Sequence, residues 1–213
     1  MDARTLVVPG VATVAAADFD AVIVVDVERD FCPPIDDGTG PIGGALAVEG
    51  GDIVAARISA WLDGTDILVA ATADHHPPTL PGHFAPAGID PDYATTWPAH
   101  CVAGTRGVEW HPALRLPAQT VVFRKGQRAA AYSGFESPDD LVGWLRHRGV
   151  RRVGVVGIAL DHCVVATALD AAANGFAVTV VVDLTAAVAE ASAVDAMARL
   201  GAADVVLGAA LAS

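Results

Sequence analysis

Three polar side chains in this sequence stand out because each follows an apolar run that predicts a strand. Asp26 follows the run 21–25, Lys125 closes the run TVVFRK, and Cys163 comes shortly after the run 153–158. Open α/β sheets bind ligands beyond the carboxyl ends of their strands. The three residues are therefore candidates for a binding or catalytic site.

Two of these residues carry a second signal. Lys125 is the only lysine, since the other twelve basic residues are arginines, which indicates a need for the compact charge of an ammonium. We expect Asp161 to cap the helix that holds Cys163, where free N–H groups and the helix dipole favour a thiolate and can hold an oxyanion. A purely structural explanation also remains for each residue. Asp26 could cap a turn, Lys125 could be a chance remnant, and Cys163 could be an inert buried thiol.

A group of acidic and imidazole side chains follows the second predicted strand. The group consists of Asp74, His75, His76, His83 and His100. Carboxylate and imidazole together suit a divalent ion such as Zn²⁺, Mn²⁺ or Fe²⁺. Only one of His75 and His76 is expected to face inward if the segment is extended. A histidine-rich loop without a metal remains the alternative, because the spacing matches no zinc finger.

The elements that must position these residues alternate along the chain. Continuous Val/Ile-rich runs predict six strands, at 21–25, 67–71, 121–123, 153–158, 178–182 and 205–207. Helical patterns lie between them, at 53–62, 141–145, 163–173 and 190–200. The sequence thus predicts an α/β fold, a three-layer α/β/α sandwich around a mainly parallel sheet of about six strands.

Length and composition indicate a single domain over 1–213, with an N-terminal extension at 1–19 and a metal-binding loop region at 73–117. The chain is 53% apolar, yet no apolar run is long enough to span a membrane. A net charge of −12 argues against a nucleic-acid partner. Three cysteines cannot all pair, so we expect at least one free thiol and a reducing compartment, the cytoplasm.

Seven short motifs occur in an order that resembles the nicotinamidase (pyrazinamidase) branch of the isochorismatase-like cysteine hydrolases. The motifs are VVDVERDF at 24–31, TADHH at 72–76, GHF at 82–84, WPAHCVAGT at 97–105, FRKG at 123–126, AYSGF at 131–135 and GIALDHCV at 157–164. The resemblance extends over roughly residues 20 to 207. It implies a small-molecule amide substrate, nicotinamide or an analogue such as pyrazinamide.

The resemblance also implies a role for each matching residue. Asp26 corresponds to the general base, Lys125 to the cation that favours the charged states, and Cys163 to the nucleophile that forms a thioester. A cis peptide before Ala159 would direct the N–H groups of Ala159 and Cys163 to the oxyanion. Phe31, Trp97 and Tyr132 match positions that enclose the substrate ring. Asp74, His76 and His83 match the ligands of one divalent metal ion, with His100 as a fourth ligand in the branch that uses it, and the resemblance implies no organic cofactor.

Other functions remain open at this point. The same fold could act on another amide, an N-carbamoyl compound or isochorismate, although metal-free relatives lack this histidine set. A non-catalytic binding or metal-storage protein is a third hypothesis. Such hydrolases are often homo-oligomers, but no apolar stripe here marks an interface. The segment Cys32 to Gly44 is longer and richer in Pro and Asp than the family pattern, which leaves the shape of the ring pocket open.

Overall fold

The computed structural model describes residues 11–211 and shows a parallel sheet flanked by helices. The strands are β1 Ala12–Val14, β2 Ala21–Val25, β3 Ile35–Asp36, β4 Pro41–Ile42, β5 Leu68–Asp74, β6 Val121–Lys125, β7 Arg152–Ile158, β8 Ala177–Ala186 and β9 Val206–Ala210. The helices are α1 Gly51–Leu62, α2 Leu141–His147, α3 Val165–Ala173 and α4 Glu190–Ala202. Strands β3 and β4 form a separate antiparallel hairpin.

Within residues 11–211 the main sheet has seven strands in the order β1-β9-β8-β7-β2-β5-β6, all paired in parallel. The predicted α/β class and parallel sheet are confirmed. The sequence missed β1, because Ala12–Val14 is only three residues long and carries none of the buried Val/Ile pattern of the central strands. This strand lies in the segment we treated as an extension, of which residues 1–10 fall outside the described part of the chain.

Helices cover both faces of the sheet, which gives the three predicted layers. On one face α1 buries Val54, Ile58 and Trp61 against the sheet. On the other face α2, α3 and α4 pack together, with Leu145 and Leu200 fully buried in that core. All five residues of β2 are fully buried, as expected for a strand that is covered on both sides.

Four neighbouring strands, β7, β2, β5 and β6, end at the same edge of the sheet and bring the candidate residues together. The close approach of β7 to β2 requires Gly157, which has a φ of +121° and whose place no side chain could take without overlapping the backbone of Val25. Above this edge lie the β3–β4 hairpin and the long connection from β5 to β6. In the described part of the chain, no helix is long and apolar enough to cross a membrane.

Candidate active site

The ammonium of Lys125 lies at the centre of a buried group of polar side chains. Its Nζ lies 2.8 Å from Asp26 Oδ2, 2.5 Å from Asp74 Oδ1 and 3.7 Å from Cys163 Sγ. Lys125 and Asp26 are fully buried, and only 7% of Cys163 is exposed. The Asp26 carboxylate is also close enough to the Cys163 thiol to raise the pKa of that thiol. The structure therefore brings the three residues of the predicted triad together around the Lys125 ammonium.

Asp26 is positioned by the end of β2 and by its neighbour strand. Its backbone adopts a left-handed conformation, with a φ of 48°, which turns the chain out of the sheet directly after Val25. Its N–H donates to the Thr72 carbonyl at 3.2 Å, so that β5 still holds the residue in place. The Asp26 side chain can then face Lys125 and Cys163 at once.

Cys163 lies in a single π-helical turn, Leu160–Val164, that joins β7 to α3. The peptide bond between Ile158 and Ala159 is cis, as the family resemblance implies. Ala159 is the N-cap residue of this turn and has an extended backbone conformation. The N–H groups of Ala159 and Cys163 thus belong to one short turn at the edge of the sheet.

The expectation that Asp161 caps the helix of Cys163 is wrong. The Asp161 carboxylate instead accepts hydrogen bonds from the N–H groups of Val188 and Ala189, at 3.1 and 3.2 Å, and from the Ser192 hydroxyl. These donors lie at the start of α4, where the first N–H groups of a helix need outside acceptors. Asp161 therefore fastens the nucleophile turn to the next helix.

The expected bias of Cys163 towards the thiolate is also wrong for the free protein. Burial raises the pKa of Cys163 well above its ordinary value, and although Lys125 opposes this, Asp26 and Asp74 add to it. Burial also raises the pKa of Asp26, against the lowering effect of Lys125. The pKa of Lys125 is raised, because the two carboxylates outweigh the effect of burial. The resting group therefore contains a thiol and an ammonium.

Three imidazoles form a second cluster beside the triad. Ring nitrogens of His76, His83 and His100 all lie within 4.8 Å of one another. Asp74 Oδ2 is 3.4 Å from His76 Nε2 and 3.8 Å from His100 Nε2, while its other oxygen contacts Lys125. Asp74 therefore belongs to both clusters, one through each oxygen.

The donor atoms of this cluster suit a divalent metal ion. His76 Nδ1 bonds the Gly126 carbonyl and His100 Nδ1 bonds the Pro98 carbonyl, which leaves Nε2 of each ring directed at the centre. Within residues 11–211, buried Nε2 atoms of His76 and His83 have no hydrogen-bond partner. Burial lowers the pKa of His83 and lowers that of His100 to about 4, so both rings offer a lone pair at neutral pH.

Asp74 supplies the negative charge that such a site requires. Burial alone would raise its pKa, but Lys125 and His76 together hold the pKa of Asp74 well below its ordinary value. His75 lies outside the cluster and is only partly buried; its N–H donates to the Lys125 carbonyl. Gly126 leaves room for the His76 ring, which any side chain at that position would overlap.

A cavity of about 390 Å³ opens from Cys163 towards the surface. Phe31, Trp97 and Tyr132 line it, together with Asp74, His83 and His100 at its inner end. The Phe31 ring lies 5.6 Å from the ring of His100. All three predicted ring-binding residues thus line the same cavity as the nucleophile. The volume of this cavity is within the range of small-molecule sites.

Sequence reasoning overlooked two buried polar residues beside the triad. Thr72 donates a hydrogen bond from Oγ1 to Asp26 Oδ1 at 2.7 Å. Glu28, fully buried, accepts from the Asp74 N–H through Oε1 at 2.6 Å. A signal existed for each: Thr72 interrupts an apolar strand, and Glu28 follows Asp26 by two residues.

Comparison with known proteins agrees with this geometry. The isochorismatase domain model matches residues 20–210. The chain belongs to the isochorismatase family. Among curated relatives of this isochorismatase-family protein, the nicotinamidase/pyrazinamidase of Mycobacterium tuberculosis is 47% identical, over 88% of this chain and 97% of the relative. The nicotinamidase of Escherichia coli is 35% identical, over 76% and 81% of the two chains. The resemblance to the nicotinamidase branch is therefore confirmed.

Solved structures give the same family neighbourhood. The pyrazinamidase of Pyrococcus horikoshii in complex with zinc superposes with a TM-score of 0.74 at 33% identity, covering 89% of this chain and 98% of the other. PnC1 of L. infantum in complex with nicotinate gives a TM-score of 0.77 at 35% identity, covering 95% and 100%. The isochorismatase-family fold thus extends over nearly the whole chain.

Proposed function

We propose that this protein hydrolyses nicotinamide, and analogues such as pyrazinamide, to the carboxylic acid and ammonia. The observation that carries the proposal is the contact of the Lys125 ammonium with both Asp26 and Cys163 at the base of one aromatic-walled cavity. The curated relatives named nicotinamidase, and the L. infantum structure with nicotinate, support the same substrate class. Three free cysteines in the described chain agree with a reducing compartment, for which we propose the cytoplasm.

The first half of the reaction forms a thioester. Cys163 Sγ attacks the amide carbon while its proton passes to Asp26, which contacts the same Lys125 ammonium as the thiol. The carbonyl oxygen gains the negative charge and accepts hydrogen bonds from the N–H groups of Ala159 and Cys163. The C–N bond then breaks as Asp26 returns its proton to the nitrogen, and ammonia leaves.

The second half releases the acid. Water attacks the thioester carbon and gives a proton to Asp26; the C–S bond breaks, and the proton returns to sulfur. The raised pKa of Asp26 suits this exchange, because a carboxylate that holds protons more firmly is a better general base near neutral pH. Lys125 stays charged throughout and contacts both the Asp26 carboxylate and the Cys163 sulfur.

We propose that Asp74, His76, His83 and His100 hold one divalent metal ion, for which zinc is the leading candidate. The orphaned imidazole nitrogens and the Asp74 carboxylate support this assignment, and so does the zinc in the Pyrococcus horikoshii pyrazinamidase. When bound, the ion would supply Lewis acidity for the pyridine nitrogen and for water.

Phe31, Trp97 and Tyr132 would hold the heteroaromatic ring by stacking and edge contacts. Tyr132 is 38% exposed and lies at the mouth of the cavity, whereas Phe31 is buried. The ring would therefore enter past Tyr132 and rest beside Phe31. This orientation places the carboxamide near Cys163 at the base.

The experiment is release of ammonia from nicotinamide by the purified protein, compared with the Cys163→Ala variant. We expect turnover by the wild type and loss of more than a thousandfold in the variant, since the nucleophile is gone. A Cys101→Ala variant serves as the matched control, because that buried thiol lies outside the triad. Equal rates in the wild type and Cys163→Ala, or faster turnover of an N-carbamoyl compound or isochorismate, would overturn the proposal.

A further inference from the structure

Thr72 is a fully buried hydroxyl residue in the strand beside Asp26. Two hydrogen bonds join the pair: the Thr72 hydroxyl donates to Asp26 Oδ1 at 2.7 Å, and the Asp26 N–H donates to the Thr72 carbonyl at 3.2 Å. In the register of β2 and β5, Thr72 pairs with Val25, the residue before Asp26. The two residues are therefore held together by backbone and side chain alike.

These contacts determine how the Asp26 carboxylate is oriented. Oδ1 accepts from Thr72, and Oδ2 faces the Lys125 ammonium at 2.8 Å. A hydroxyl carries one hydrogen, and here that hydrogen is given to the carboxylate. Such a bond favours the charged form of the acid, which is the form that can accept the proton of Cys163.

The Thr72 side chain is itself held from behind. Gly134 lies against the Thr72 methyl group so closely that a side chain at 134 would overlap it. The Gly134 N–H donates to the hydroxyl of Thr167, at 3.0 Å, and Thr167 is fully buried in α3. Contacts thus lead from α3, directly after the nucleophile turn, through Gly134 to Thr72 and to the base.

We propose that Thr72 is a positioning residue for Asp26: its hydroxyl fixes the carboxylate in the orientation and charge state that accept the Cys163 proton, and Gly134 with Thr167 holds that hydroxyl in place. The inference rests on the proposed function only for its kinetic readout, because the reactivity of Cys163 can be measured without turnover.

The charge state of Asp26 depends on every group that faces it. These are the Lys125 ammonium, the carboxylates of Asp74 and Glu28, and the Cys163 thiol. Burial raises the pKa of Asp26, while Lys125 and the Thr72 hydroxyl lower it. Removal of the hydroxyl therefore raises the pKa further, and the acid limb of Cys163 reactivity moves to higher pH.

The test is the rate of alkylation of Cys163 by iodoacetamide as a function of pH, followed by peptide mapping so that Cys32 and Cys101 are scored separately. Thr72→Val removes the hydroxyl at nearly constant volume and Thr72→Ser keeps it. We expect Thr72→Val to slow alkylation at neutral pH by about ten- to a hundredfold and to shift the acid limb to higher pH. This loss lies at or below the lower limit of the roughly hundred- to ten-thousandfold range for general-base catalysis, because Asp26 itself remains. Thr72→Ser should stay within about threefold of the wild type.

A second pair of variants covers the case in which Thr72→Val does not fold. Thr72→Ala and Thr72→Ser both lack the threonine methyl group and differ from each other only in the hydroxyl. The ratio of their alkylation rates therefore isolates the effect of the hydroxyl. Unchanged rate and acid limb in Thr72→Val, or equal losses in Thr72→Ala and Thr72→Ser, would overturn the inference, since packing alone would then explain the residue. Nicotinamide turnover is measured in parallel: if even the wild type shows none, the proposed function fails while the alkylation result still decides the role of Thr72.

Discussion

Replacing Lys125 by Met should destabilise the fold and abolish the activity together. The ammonium is fully buried and contacts two carboxylates, at 2.8 Å from Asp26 and 2.5 Å from Asp74. Methionine fills similar space but leaves both acids without a counter-charge. Removing one partner of a buried ion pair costs about 3–5 kcal/mol. Because Lys125 serves two carboxylates, we expect a loss of at least about 3 kcal/mol at pH 7.

The measurement is urea unfolding of the wild type, Lys125→Met and Arg124→Met. Arg124 is the matched control, because it precedes Lys125 on β6 and its side chain is exposed. We expect its replacement to change the free energy of unfolding by less than about 0.5 kcal/mol. A loss below about 1 kcal/mol in Lys125→Met would refute the argument that this ammonium holds the buried acids together.

The pH dependence of this loss has a definite sign. Burial already raises the pKa of Asp26 in the folded state, and loss of the ammonium raises it further. A folded state with a raised carboxyl pKa binds more protons than the unfolded chain, so its stability falls as pH rises through that pKa. The gap between the wild type and Lys125→Met should therefore narrow as the pH is lowered from 8 to 5. A gap that widens over this range contradicts the burial argument.

Three further results are expected. Glu28→Gln should alter the free energy of unfolding by less than about 1 kcal/mol, because burial raises the pKa of Glu28 well above its ordinary value and a glutamine still accepts the Asp74 N–H. Glu28→Leu removes the acceptor and should lower the free energy of unfolding, measured in urea, by about 1–3 kcal/mol. Equal losses in the two variants would show that the acceptor is unimportant. Asp161→Ala should cost about 1 kcal/mol through the lost acceptor at the start of α4, and thermal unfolding that leaves Tm unchanged would contradict it. Chelation of the metal ion should lower Tm, and zinc at about 100 times its Kd should restore about 2.7 kcal/mol of the free energy of unfolding. An equal response of the His83→Ala variant would show that the ion binds elsewhere.

The sequence predicted the central part of the fold well, because the strands around the site are buried on both faces. Runs such as Ala21–Val25 and Arg152–Ile158 leave almost no polar positions, and such runs are typical of parallel sheets. The edge strand Ala12–Val14 could not be recognised, since an exposed three-residue strand owes its existence to pairing with β9 rather than to its own residues.

Residue types and spacing indicated which side chains do chemistry, but not how they contact one another. The sequence could place Asp161 before Cys163, yet only the tertiary structure shows that its carboxylate serves the start of α4. The ionisation of Cys163 was mispredicted for a related reason. A local argument from the helix dipole omits the burial and the two neighbouring carboxylates that raise the pKa of the thiol.

The shared position of Asp74 has a thermodynamic consequence. The Asp74 carboxylate contacts the Lys125 ammonium through one oxygen and faces the imidazoles through the other. Occupancy of the proposed metal site and the charge state of the groups around the Cys163 sulfur should therefore be thermodynamically linked. Perturbations on the two sides should consequently be non-additive. A double-mutant cycle between His76 and Lys125 should return a coupling energy well beyond the scatter found for independent positions, although these two residues are separated by the carboxylate.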